Sequence, residues 1–379
     1  MLPSVETLLA NIVDYAGLFP PAKLDMGAAV RAYASILAGP HAWMAGRFIV
    51  PVSRLDEFER EAARLFPAPD RHGGGHAESD AAGRAGETWR ISALVGEDLD
   101  ADIDRVFAFN QKYAPPETDP DAASDDDDVD GMADAEGHEA DDDGSDEDNT
   151  PAPRSQQPPA PAPGTARAPR AAEEPDTRVG GGAVIDALEI KAATGREVDK
   201  AMTIVPEQLG AYFEIPINTD PRGIIAAMAG TDARAKVRTG GVTPEAFPAP
   251  EHLARFIAAC AAADVGFKAT AGLHHPLRGD FRLTYEPNAP TGVMYGFLNV
   301  FLAAAFLRAG GFTERDAAEL LQERDPKAFT FEVPGITWRG RKLGTPRIAL
   351  ARENFASSFG SCSFDEPVAD LKALGLLTA

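Results

Sequence analysis

Along this chain, short apolar runs bounded by turn residues alternate with stretches whose apolar positions recur every three to four residues. The first pattern reads as buried strands and the second as helices packed against them. Seven runs fit the strand pattern: IVDYAGLF (12–19), GRFIVPV (46–52), WRISALVG (89–96), IDALEIKA (185–192), GAYFEIPI (210–217), AKVRTGG (235–241) and GFKATAG (266–272). Between them, helices are expected over 26–37, 54–65, 98–113, 195–202 and 220–228. The segment after residue 249 adds another, with Leu253, Phe256, Ile257 and Cys260 at helical spacing. In the 98–113 helix, Ile103, Val106 and Phe107 are expected to face inward. The Pro20-Pro21 pair stops the first run, because proline offers no N–H and restricts the residue before it.

Strands that are apolar on both faces and joined by helices belong to a parallel sheet covered by helices. Seven such units find their natural closure in an eight-stranded (β/α)8 barrel, an α/β fold of one domain over 1–379. The eighth strand is either FTFEVPG (329–335) or SFGSCSF (358–364). The C-terminal hundred residues otherwise suggest a buried helix over 291–307, ended by Gly310-Gly311, and further helices over 313–322, 348–355 and 367–377.

The net charge of -23 modifies this picture in one place only. Residues 117–178 carry 20 acidic and 4 basic side chains and almost no large apolar ones, so the charge is concentrated there. Such a segment cannot offset the entropy of ordering, and 115–180 is expected to be a disordered acidic and Pro-rich insertion within the barrel. His76 and His138 fall in loops of this kind and suggest no specific role. The acidic balance argues against nucleic acid and anionic membranes as partners. Cys260 and Cys362 supply neither a disulfide framework nor zinc spacing. The N-terminal residues lack a secretory pattern, and the longest apolar run, 293–307, is too short to span a membrane. A cytoplasmic protein is the expectation.

Charged residues inside apolar strands are costly unless paired or functional. Here Glu189, Lys191, Glu214, Lys236 and Arg238 sit on three consecutive strands, and Lys268 ends the next. Side chains two apart share a strand face, so Glu189 pairs in direction with Lys191, and Lys236 with Arg238. Lys236 and Lys268, on neighbouring strands, can stand side by side at the barrel mouth where such folds carry their active groups. A lysine attacks a carbonyl only when neutral, and a second ammonium with partial burial lowers its pKa. Two adjacent lysines are therefore the parts of an imine-forming site. They are equally the parts of an ion-pair network that only holds a barrel together.

The motifs KVRTGG and KATAGL resemble those of class I aldolases of the deoxyribose-phosphate aldolase type, over roughly residues 9–280 without the insertion. That resemblance implies that Lys236, in K-x-x-T-G with Thr239 and Gly240, forms a Schiff base. It implies that Lys268, in a K-A-S-x-G-like motif with Gly272, tunes it. NIVDYAGLF is similar to the family's first strand. The family's proton-relaying aspartate matches Asp186, although alternation puts Asp186 opposite to Glu189 and Lys191; both Asp186 and Glu189 are carried as acid/base candidates. Arg238 stands where the family has a small serine and could hold a substrate carboxylate or phosphate, or pair with Glu214 or Glu189. His274 and His275 follow where the family binds phosphate on a glycine pair; they could fix substrate, move protons, or simply shape the turn at Pro276. The Ser/Gly loop 357–363 could offer backbone N–H groups to a phosphate or be only a turn, while Tyr295 and Asn299 could line the pocket but better suit core packing. The implied activity is a carbon–carbon lyase acting on a small carbonyl compound, with no metal or organic cofactor. Lys191, Arg238, Glu214, His274, His275, Gly240 and Gly272 would line its substrate site. Two other readings remain: a metal-assisted barrel enzyme using Glu189, Glu214 and His274 or His275, and a non-catalytic binding or scaffold barrel whose acidic insertion recruits a basic partner.

Overall fold

The computed structural model describes residues 1–67, 87–115 and 182–378. The expected insertion, from residue 116 to 180, and the stretch bearing His76 lie outside the described residues. The remainder forms one compact unit.

Seven strands run β1 (Val13–Tyr15), β2 (Ala45–Pro51), β3 (Trp89–Leu94), β4 (Ala183–Lys191), β5 (Gly210–Glu214), β6 (Arg234–Arg238) and β7 (Phe267–Thr270). A hairpin of β8 (Gly279–Arg282) and β9 (Thr291–Met294) follows, then an antiparallel sheet of β10 (Phe329–Glu332), β11 (Gly335–Trp338) and β12 (Arg341–Gly344). The last strand, β13 (Ala356–Ser361), lies parallel between β1 and β7 and closes an eight-stranded parallel barrel. The choice of eighth strand has a simple cause. Only Val333 and Pro334 separate β10 from β11, a link too short for anything but an antiparallel neighbour. The segment from 356 follows the helix Thr345–Asn354, which provides the crossover that a parallel strand requires.

The helices Met26–Leu37 and Gly195–Met202 fall where periodicity puts them. The second is fixed at its start by a capping box between Thr194 and Glu197. The helix expected over 291–307 instead begins at Phe297; its first residues form β9. Gly296 marks the boundary, because a Cβ there would lie 2.3 Å from the Pro276 carbonyl oxygen. On the helix Leu99–Tyr113, Ile103, Val106 and Phe109 are buried, whereas Phe107 is 40% exposed. Phe109 takes the inward place because it packs against Phe58, Phe66 and Tyr113. These rings, with Tyr33, Phe48 and Trp89, fill the space between the barrel wall and its first helices.

One irregularity moves a candidate residue. The β3–β4 register shifts so that Ile91 pairs with Ile185 and Ser92 with Ala187, leaving Asp186 as an extra residue. Strict alternation puts Asp186 opposite to Glu189. The bulge instead turns it into the ion-pair layer at the N-terminal ends of the strands, where Arg47 and Arg90 each approach to 2.6 Å.

Candidate active site

The register across four strands sets the site. Lys191 pairs with Glu214, Glu214 with Lys236, and Lys236 with Lys268. Glu189, two residues before Lys191, sits one pleat lower and reaches both lysines. Lys236 Nζ donates to Glu189 Oε2 at 2.6 Å and Lys268 Nζ donates to Glu189 Oε1 at 2.7 Å. One carboxylate thus bridges the two amines, and Ser92 Oγ donates to the same Oε1 at 2.9 Å.

The lysines differ in their other partners. Lys268 Nζ also donates to Asp14 Oδ2 at 2.5 Å, lies 5.2 Å from the Tyr212 ring centroid, and is 1% exposed. Asp14 is itself held by Ser358 Oγ at 2.8 Å and the Arg47 backbone N–H at 2.8 Å. Lys236 Nζ donates instead to Glu214 Oε2 at 2.7 Å. Both Lys236 and Glu214 line a cavity of about 510 Å³ at the C-terminal ends of the strands; Lys268 and Asp14 do not. One amine therefore faces open space while the other is sealed behind it.

Burial alone would raise the Glu189 carboxyl, but the Lys268 and Lys236 ammonium groups outweigh it and hold Glu189 far below the ordinary carboxylate range. Burial would likewise lower Lys268, and Asp14 and then Glu189 reverse this, so its ammonium persists above the ordinary lysine range. The signs fix a stability window. Below the ordinary glutamate value of 4.5, the unfolded chain takes up a proton that folded Glu189 refuses, so stability falls with falling pH. Above the ordinary lysine value of 10.5, the unfolded chain releases a proton that folded Lys268 keeps, so stability falls with rising pH. Between these limits the network's contribution is constant. Urea midpoints from pH 3 to 11 are expected to show that plateau with both shoulders. In Lys268→Met both shoulders should shrink, and their persistence would count against the assignment.

Arg238 and Lys191 stand at the cavity rim. Arg238 NH1 lies 3.9 Å from Glu214 Oε1, with its side chain 54% exposed. His274 lines the cavity, and its Nδ1 is 3.1 Å from Glu366 Oε2. His275 leaves the site: its ring stacks on Phe281 at 3.5 Å and its Nδ1 meets Asp370 at 2.6 Å. Gly272 borders the cavity and Gly240 does not, though its neighbour Gly241 does. These two glycines allow the loops after β6 and β7 to close over Phe247; a Cβ on Gly240 would lie 2.3 Å from its ring. Thr239 secures the same closure, donating to the Ala271 carbonyl at 2.6 Å while Ala271 sits at φ +61. Asp186, bound to Arg47 and Arg90, does not reach the cavity. Tyr295 and Asn299 serve the core, donating to Pro248, Leu320 and Glu323 carbonyls.

The Lys236 ammonium fills the position between Glu189 and Glu214 where a metal would bind, and both histidines turn to other carboxylates. Among the described residues, no group of three or more His, Cys, Asp or Glu is arranged around a possible metal. No helix among them is long and apolar enough to cross a membrane. Sequence reasoning passed over Asp14 and Ser92. Asp14 carries the same signal as Glu189, a carboxylate inside an apolar strand, in IVDYAG.

The fold and site together define a parallel eight-stranded barrel with a lysine–carboxylate centre at its mouth. Compared with known protein families, curated proteins and solved structures, the chain matches none.

Proposed function

We propose that the protein is a carbon–carbon lyase that forms an imine between Lys236 and a small carbonyl compound. The observation that carries this reading is an amine that borders a cavity, sits between two carboxylates, and shares one of them with a buried, permanently charged lysine. The aldolase-like motifs around Lys236 and Lys268 agree with it.

The chemistry follows from the unequal carboxylates. Glu189, clamped by two ammonium groups and Ser92, is a poor proton acceptor. Glu214 touches only Lys236 closely and faces the cavity, so it takes the Lys236 proton. The free amine adds to the carbonyl carbon, and the resulting carbinolamine keeps the substrate oxygen as hydroxyl. Glu214 returns its proton to that hydroxyl, water leaves, and a positive iminium remains. This cation occupies the place of the original ammonium, opposite an already ionised Glu189, so no new charge is buried. Lys268 acts at one remove, keeping Glu189 anionic and in position; it is not a nucleophile.

Borohydride reduction in the presence of small aldehydes and ketones tests the proposal. A stable adduct on Lys236, none on Lys268, and none after Lys236→Met is the expected mass-spectrometric result. If no carbonyl tried modifies Lys236, the imine reading is lost. The competing reading, a non-catalytic barrel, draws on the same ion pairs as pure structure and predicts that outcome.

A further inference from the structure

Lys191 and Arg238 are the cations at this cavity with the fewest protein partners among the described residues. The Lys191 side chain makes no ion pair or hydrogen bond among the described residues, and it is exposed at the end of β4. Arg238 meets one carboxylate, Glu214, at 3.9 Å, the outer edge of ion-pair range. Lys191 neighbours Glu214 in register, and Arg238 lies two residues beyond Lys236 on the same face of β6. Both therefore flank the position where a carbonyl would meet Lys236, within reach of the same small molecule. The same cavity is also lined by the apolar side chains of Phe19, Ile49, Leu94, Leu283 and Met294.

We propose, on the basis of the imine reading, that the substrate carries a carboxylate close to its carbonyl, as a short 2-oxo acid does, and that Lys191 and Arg238 hold that carboxylate. The charges around the cavity choose between anions. Its lining bears three cationic side chains, Lys191, Lys236 and Arg238, against two carboxylates, Glu189 and Glu214. The excess is one positive charge, which a monoanion balances and a dianionic phosphate ester exceeds, with Glu214 close by to repel the second charge. The planar guanidinium fork matches a carboxylate in two parallel hydrogen bonds.

The test compares borohydride trapping at Lys236 by pyruvate, by uncharged hydroxyacetone and by dihydroxyacetone phosphate, each scaled to its reaction with free lysine. Pyruvate is expected to half-saturate at a concentration about 10–100-fold lower than hydroxyacetone. In Lys191→Met/Arg238→Met that ratio should collapse toward one. Equal trapping of pyruvate and hydroxyacetone, a preference for the phosphate ester, or a ratio that survives the double substitution would each overturn the proposal. Oxamate, which copies the shape and charge of pyruvate but has an unreactive amide carbonyl, separates the two claims by calorimetry. Oxamate binding that the double variant loses, without any adduct at Lys236, would leave the carboxylate site standing and remove the imine. Adducts at Lys236 with neither pyruvate preference nor oxamate binding would do the reverse.

Discussion

Lys268→Met is expected to lower the unfolding free energy by about 3–5 kcal/mol, the cost of leaving a buried ion-pair network without one of its charges. Among the described residues, Lys268 is the sole cation within bonding distance of Asp14 Oδ2 and one of two on Glu189, and neither carboxylate is more than a few per cent exposed. Asp14 would retain two hydrogen-bond donors, Ser358 and the Arg47 backbone, but no counter-charge at that oxygen. Lys236→Met makes the informative contrast. Glu189 keeps Lys268 and Ser92, and Glu214 opens onto the cavity where water can solvate it. The loss there should be about 1–2 kcal/mol. Urea unfolding of the two variants at pH 7 reads the difference directly. Equal losses, or a larger loss from Lys236→Met, would mean that Lys236 is as structural as its neighbour.

This division between the lysines was only half legible in the sequence. Periodicity exposed the barrel because each strand, buried on both faces, is a nearly continuous apolar run, and each helix shows one apolar face. The polar interior was also legible: Glu189, Lys191, Glu214, Lys236 and Arg238 interrupt such runs, and regular pleating brings them to one end of the barrel. Alternation failed at Asp186, because a bulge depends on pairing with β3 and leaves no mark in a strand read alone. It also could not tell which lysine would be sealed. That depends on Asp14, which lies 254 residues before Lys268 and arrives beside it only when β13 closes the barrel. The two histidines part for a related reason. His274 and His275 look equivalent in the chain, yet the C-terminal helix Asp365–Ala373 supplies a separate acid to each, Glu366 to one and Asp370 to the other. His275 then turns onto Phe281 and away from the cavity.

Glu214→Gln is expected to slow imine formation at Lys236 by about 10²–10⁴-fold, the usual scale for losing a positioned acid/base group. The amide keeps the side chain's size and can still accept from Lys236, but it cannot take the ammonium proton or return it to the carbinolamine oxygen. Glu189 does not replace it, because its carboxylate is held ionised between two ammonium groups and a hydroxyl. A simple loss of packing would also reduce the rate, so the deciding measurement is chemical rescue. Glu214→Ala opens space in a cavity of about 510 Å³, and formate entering there can carry the same proton. Added formate should restore the trapping rate of Glu214→Ala in a concentration-dependent way while leaving Glu214→Gln, whose amide fills the space, unchanged. A Glu214→Gln protein that forms its adduct at the wild-type rate would remove Glu214 from the chemistry and return the proton transfer to Glu189 or to water.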